Sequence, residues 1–155
     1  AHRMHHHHSD TELDPHSPNK KGFWTVFFSL WSIPSISPKY SKDLFENPRM
    51  RFFHTHWKLI WAVSAAVALA IGWKFFIAFI VFPAVLAPLG FGMVNAITHR
   101  GNTVRNVFWI NILVAGEGFH KEHHYGRIVR YHKYDWTGYM LEKLIKAGVF
   151  TKNAR

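Results

Sequence analysis

The chain has 155 residues, 48% hydrophobic and 17% aromatic, which is too apolar for a disordered segment and enough for one domain. A net charge of +10 would suit a nucleic-acid binder, but of nineteen Lys and Arg only Lys74 interrupts the long apolar region; the rest lie in flanks, as basic loops beside an anionic membrane surface do. With no cysteine, disulfides, zinc ribbons and iron–sulfur clusters are excluded, and any metal must be held by nitrogen and oxygen ligands.

The chain opens inside a polar, histidine-rich stretch without an initiator Met or a secretory signal pattern, which predicts a fragment of a longer product. A helix is expected through the first histidines, stopping near Asp14, because Pro15 and Pro18 punctuate the segment after it. Residues Gly22 to Pro34 are aromatic and too short to span a bilayer, a pattern that predicts an interfacial helix with its rings at headgroup depth. Ser35 to Lys58 is polar, basic and broken by prolines, like a cytoplasmic flank.

Leu59 to Trp73 runs fifteen residues without a charge and Phe75 to Thr98 twenty-four, and a spanning helix needs about twenty. These two arms predict a transmembrane helical hairpin over 57–98. Trp57, Lys58, Trp73 and Lys74 are placed to anchor it, and Pro83 and Pro88 to kink the second arm. Arg100 and Arg105 follow that arm, so the positive-inside bias puts both outer ends in the cytoplasm and the turn at Gly72–Lys74 on the far side. The expected architecture is therefore all-α: a cytoplasmic segment 1–56, the membrane hairpin 57–98, and a cytoplasmic segment 99–155 whose last helix covers Gly138 to Ala147, the helical cap carrying the histidine clusters.

Two clusters share one spacing, HxxHH: His2-Arg-Met-His5-His6 and His120-Lys-Glu-His123-His124. Positions i, i+3 and i+4 lie on one face of a helix, so each cluster is expected to aim three imidazoles toward a common point, and two triplets can close around one or two metals. The run His5–His8 after Met4 is like an affinity tag, but a tag explains neither His2 nor the adjoining Ser9-Asp-Thr-Glu-Leu-Asp-Pro-His16. His7 and His8 fall outside the spacing, and His54, His56 and His132 match no motif. Glu117 is a candidate for orienting a ligating histidine from behind, since such imidazoles usually donate their other N–H to a carboxylate or carbonyl.

These motifs resemble the membrane fatty-acid desaturases, most closely the acyl-CoA branch. His2-Arg-Met-His5-His6 with Ser9-Asp-Thr and Asp14-Pro-His16 is similar to the family's second histidine box and its trailing segment. Gly116-Glu-Gly-Phe-His120 through His124 is similar to the third box, and Asn95-Ala-Ile-Thr-His99 to a further element. The resemblance implies a di-iron centre, two iron ions, with His2, His5, His6, His99, His120, His123 and His124 as ligands and Asn95 acting through a water, while His16 has a positioning role. It also implies dioxygen as co-substrate, a fatty acyl substrate (acyl-CoA first), and electrons from a b-type cytochrome or a ferredoxin at the cytoplasmic face. Lys20 and Lys21, before Gly22-Phe23, match a basic pair implied to hold the acidic carrier; membrane phospholipid headgroups are the other reading of that pair.

The chain departs from the family pattern at Lys121-Glu122, where an Asn and an aromatic are usual, and contains no first box: no HxxxH or HxxxxH follows an apolar span. The ligand set is therefore expected to be incomplete and the chain by itself inactive. A lipid or alkane hydroxylase and a catalytically dead membrane fragment are the rival readings.

Overall fold

The computed structural model describes residues 1–32, 35–125 and 130–149, and among them every regular element is helical. The sole bridge among these residues, between His99 and Val104, is isolated. The fold is all-α.

Helix α1 (His2–His8) carries the first cluster. It ends at a reversal in which Asp10 takes a left-handed backbone (φ 61°), a conformation that a short polar side chain tolerates better than most. The chain then returns beneath α1 through turns closed by Thr11 N–H to the His8 carbonyl and Asp14 N–H to the Thr11 carbonyl. Helix α2 (Pro18–Lys21) starts on a proline, whose missing N–H costs nothing at a first helical position. Gly22, at φ 89°, separates it from α3 (Phe23–Phe27). The aromatic stretch is thus less helical than its composition predicts: α3 covers five residues, and a left-handed turn at Ser29 (φ 54°) ends it. Ile33 and Pro34, the end of that expected helix, lie outside the described residues.

A 3₁₀ turn (Pro38–Tyr40) and α4 (Lys42–Glu46) lead to α5 (Pro48–Ile71). Asn47 caps α5, its side-chain oxygen accepting from the N–H groups of Arg49 (3.0 Å) and Met50 (3.4 Å), and Pro48 occupies the first position. The helix starts well before the apolar run, so its 24 residues extend about 36 Å. Gly72, at φ 151°, breaks it, and the chain re-enters a helix at once. That helix is continuous from Trp73 to Thr98: α6 (Trp73–Phe76), a π-helical turn (Ile77–Val81) and α7 (Phe82–Thr98). The π turn ends two residues before Pro83, which cannot donate to the Phe79 carbonyl, and widening is one way a helix absorbs that loss. Across the Gly72 break, α5 packs against α6 and the π turn.

Trp73–Thr98, 26 residues, is the one helix among the described residues that is long and apolar enough to cross a membrane. Only 11% of its apolar window is buried, unlike the core helix of a soluble protein. Large side chains such as Phe79, Phe82, Val85 and Leu86 stand exposed along it, as do Leu59, Trp61, Val67 and Leu69 along α5.

Among the described residues the buried apolar cluster lies at the histidine end of α7. Val94, Ile110 and Val114 form a buried core there, backed by Met93, Ile97 and Val107. Helix α3 lies against α7 at Gly92, where a Cβ would collide with the carbonyl oxygens of Val26 and Phe27, and Ser29 Oγ donates to the Pro88 carbonyl (2.6 Å). A 3₁₀ segment (Phe108–Ile112) folds back over this core and leads to α8 (His120–Tyr125), held by Val107 N–H to the Gly118 carbonyl (2.8 Å) and Lys121 N–H to Asn106 Oδ1 (3.0 Å). The last helix, α9 (Trp136–Lys146), begins two residues earlier than its apolar pattern predicts, because Asp135 caps it by accepting from Gly138 N–H (2.8 Å).

Candidate metal centre

Three elements distant in sequence converge on one point: α1, the end of α7 and α8. They bring together all seven histidines expected from the motifs. The imidazoles do not gather as one triplet per cluster. They divide into a four-membered group, His5, His99, His120 and His124, and a three-membered group, His2, His6 and His123, and the facing nitrogens within each lie within 4.8 Å of one another.

Helical geometry explains the division. Residues i and i+4 are offset by about 40° around the axis, whereas i+3 lies about 100° from i+4. His2 and His6 therefore share one direction and His5 takes another; likewise His120 and His124 pair while His123 crosses to the other group. The expectation that each cluster aims at a single point is corrected accordingly. Each HxxHH contributes two imidazoles to one group and one to the other.

In the first group the Nε2 atom of His99 lies 3.2 Å from that of His5 and 3.0 Å from that of His120, which is 3.2 Å from Nε2 of His124. In the second, Nε2 of His6 is 3.1 Å from those of His2 and His123, which are 3.3 Å apart. Nitrogens bound at about 2.1 Å around a tetrahedral metal lie about 3.4 Å apart, so these are separations of the kind shared ligands adopt. The two groups touch, the His6 ring stacking on that of His124 with centroids 4.1 Å apart.

Burial and neighbouring imidazoles disfavour the charged form, lowering the pKa of His2 to about 4, of His6 to about 3 and of His124 to about 2, and lowering that of His120 as well. At neutral pH these rings are uncharged, the state a metal ligand requires.

Behind the first group stand two carboxylates that the motif spacing does not single out. Nδ1 of His5 meets Asp14 Oδ1 and Oδ2 at 2.9 and 2.8 Å, and Nδ1 of His99 meets Asp10 Oδ2 at 2.9 Å. Burial works against the Asp10 carboxylate, yet bonds from His99, Ser17 and Asn19 outweigh it and hold its pKa down to about 2; Asp14 is likewise held below the usual range, burial being outweighed by His5. The signal available in the sequence was the pair of aspartates in Ser9-Asp-Thr and Asp14-Pro-His16 directly after the first histidine cluster, Asp being a common turn residue.

Other expected residues take varied places. Asn95 is buried; its Nδ2 donates to the Phe91 carbonyl (2.8 Å), while Oδ1 has no partner among the described residues and keeps its lone pairs. Glu117 Oε2 lies 4.0 Å from His123 Nε2, the nitrogen facing the other imidazoles, and not against Nδ1. Lys20 is ion-paired with Glu12, whereas Lys21 is exposed and makes no ion pair among the described residues. His16 is buried against His5, Phe91 and Trp31, and neither ring nitrogen has a partner among the described residues. It falls near Asp14 and His5 but in neither imidazole group.

Beside the imidazoles opens an apolar cavity of about 560 Å³. Its walls are Pro83, Leu86, Ala87, Gly90, Phe91 and Val94 of α7, Leu113 to Ala115, and Glu117; His2, Asn95 and His120 complete the lining. An imidazole array able to hold metal, opening on an apolar cleft, is suited to oxidative chemistry on a hydrocarbon.

Residues 1–149 match the fatty acid desaturase family. The chain belongs to that family. Among curated relatives it is 31% identical to the sn-1 stearoyl-lipid 9-desaturase of Anabaena variabilis, the alignment covering 88% of this chain and 54% of the relative. Similar figures, 31% identity with 87% and 46% coverage, hold for the sn-1 stearoyl-lipid 9-desaturase of Synechocystis sp.. The acyl-CoA C20 Delta5-desaturase of Anemone leveillei is 31% identical, with 97% and 54% covered. The chain thus spans about half the length of the curated relatives it matches. No solved structure matches it.

The seven histidines, facing one another at ligand-like separations, fit a metal pair of the sort this desaturase family generally uses.

Proposed function

We propose that this chain is part of an oxygen-dependent fatty-acyl desaturase that introduces a double bond into a saturated acyl chain at a histidine-held pair of iron ions. The observation that carries the reading is the division of the seven histidines into two adjoining groups beside an apolar cavity, in a chain of the desaturase family. His5, His99, His120 and His124 would hold one iron, and His2, His6 and His123 the other, with Asn95 Oδ1 available to a bound water. When bound, the iron pair supplies two-electron activation of dioxygen, which side chains alone cannot provide. The overall reaction balances as one saturated acyl chain, one dioxygen, two electrons and two protons going to one monounsaturated chain and two waters.

The chain's own residues supply the surroundings. Phe91, Val94, Leu86 and Leu113 exclude water and hold a methylene chain extended, while the neutral imidazoles keep their lone pairs directed inward. Further ligands would come from a first histidine box, a motif these 155 residues do not contain. The helix Trp73–Thr98 spans the membrane, α5 forms the other arm of a hairpin, and both histidine clusters sit on the cytoplasmic face, where a b-type cytochrome or ferredoxin delivers electrons. The curated relatives act on acyl-lipid and on acyl-CoA; acyl-CoA is the carrier we assign first, with Lys21, and Lys20 once released from Glu12, meeting its acidic headgroup.

The test is conversion by the full-length protein, with iron, reductant and dioxygen, of a saturated acyl-CoA and of a saturated glycerolipid. Monoene formation that vanishes in His123→Ala supports the reading, and the productive substrate identifies the carrier. A hydroxylated product, or turnover that survives His123→Ala, overturns it.

A further inference from the structure

The two imidazole groups differ in what stands behind them. Asp14 grips Nδ1 of His5 with both oxygens, and both side chains are fully buried. Asp10 grips Nδ1 of His99, itself buried. Both aspartates belong to one short loop that is already fastened: Asp10 N–H and His16 N–H donate to the Asp14 carboxylate (2.8 and 3.0 Å), while Ser17 Oγ and Asn19 Nδ2 donate to Asp10 Oδ1 (2.8 and 3.0 Å). The loop fixes tautomer and ring direction for two imidazoles from different helices, leaving each Nε2 as the free acceptor. Among the described residues no carboxylate bonds Nδ1 of His2, His6 or His123, and Glu117 approaches His123 from the Nε2 side. His2 is exposed and its two companions half-buried, whereas His5, His99 and His120 are buried and only His124 of the first group is half-buried; Nδ1 of His120 has no partner among the described residues, so the backing comes through His5 and His99.

We propose that Asp10 and Asp14 are positioning residues that make the His5–His99–His120–His124 group the tighter of two inequivalent metal positions, the one that fills first and empties last. This rests on the metal-centre reading and goes beyond it in ranking the positions. Orientation is the cause: a ring already held in its ligating tautomer loses less freedom on binding, and its basicity is raised by the carboxylate behind it.

The experiment uses the full-length protein loaded with ferrous iron, mixed with excess of a chromogenic ferrous chelator, and follows iron release in time. Two phases of one equivalent each are expected, with His6→Ala abolishing the fast phase and preserving the slow one. Asp14→Asn and Asp10→Asn should each accelerate the slow phase about 10- to 100-fold while the fast phase keeps its rate, and Asp14→Glu should restore part of the loss. A general loosening of the fold would move both phases together. A single release phase, a slow phase abolished by His6→Ala, or aspartate variants that leave the slow phase unaltered overturns the ranking. If either aspartate variant does not fold, the wild type and His6→Ala still decide which group holds its iron longer. Protein that binds no iron would overturn the metal-centre reading, and the ranking with it.

Discussion

The Asp14 carboxylate holds Nδ1 of His5 at 2.8 and 2.9 Å with neither side chain reached by solvent. The pair lies under a helix whose His2 and His6 face a second group, so one short loop sets the direction of an imidazole that its own helix could not orient alone. Around it are buried imidazoles kept neutral by burial, and their protonation links stability to pH.

The histidines with depressed pKa, His2, His6, His16, His120 and His124, take up protons more readily in the unfolded chain, where their pKa is near 6.5. Stability is therefore full above about pH 6.5 and falls as pH drops toward 4 and 3, where the folded-state values of His2 and His6 lie. Asp10, depressed to about 2, adds a further loss below about pH 4. Thermal unfolding of metal-free protein in detergent between pH 8 and 4 should show Tm declining throughout the acid half; a Tm that rises on acidification contradicts this linkage.

Gly92→Ala should force α3 off α7, since the new methyl meets the backbone oxygens of Val26 and Phe27, which cannot rotate away. A cost of about 1–3 kcal/mol is expected. Gly90→Ala, two residues away with open space around its Cβ, should be neutral or slightly stabilising, as Ala is the better helix former. Equal melting temperatures for the two variants would refute the close approach.

The His16 ring lies tilted 4.2 Å from that of His5, centroid to centroid, with both its nitrogens unpaired among the described residues. His16→Phe should keep the iron content of the full-length protein unchanged, as measured by metal analysis, and leave stability within about 1 kcal/mol, because an unpaired buried polar group gains little over an apolar one of similar shape. Loss of one iron equivalent would instead make His16 a ligand.

Asn95→Leu removes the unpartnered Oδ1 beside the cavity while keeping the branched outline of the side chain. Turnover should fall about 10-fold or more with α7 intact, the range seen when groups supporting a metal site are removed. Circular dichroism and turnover, measured together, separate this from misfolding; undiminished turnover would leave Asn95 a helix-packing residue.

Much of the molecule was legible in local pattern. Apolar length marks Trp73–Thr98, the HxxHH spacing marks α1 and α8, and the histidine after the apolar run marks the end of α7. The aromatic stretch after Gly22 misled, because composition reports where rings sit in depth but not the left-handed turn at Ser29 that stops the helix.

Sequence alone determined the element types and six of the seven converging histidines, since apolar run length and i, i+3, i+4 spacing are properties of neighbouring residues; His99 was marked only by the resemblance of Asn95-Ala-Ile-Thr-His99 to a family element. Only the tertiary structure decided which histidines share a group and which carboxylates stand behind them. His5 joins His99 across 94 positions, and His6 joins His123 across 117. Such partnerships depend on the angle at which α1, α7 and α8 meet, and that angle is set by packing at Gly92, Val94 and Ile110 and by the reversal at Asp10, not by any spacing along the chain.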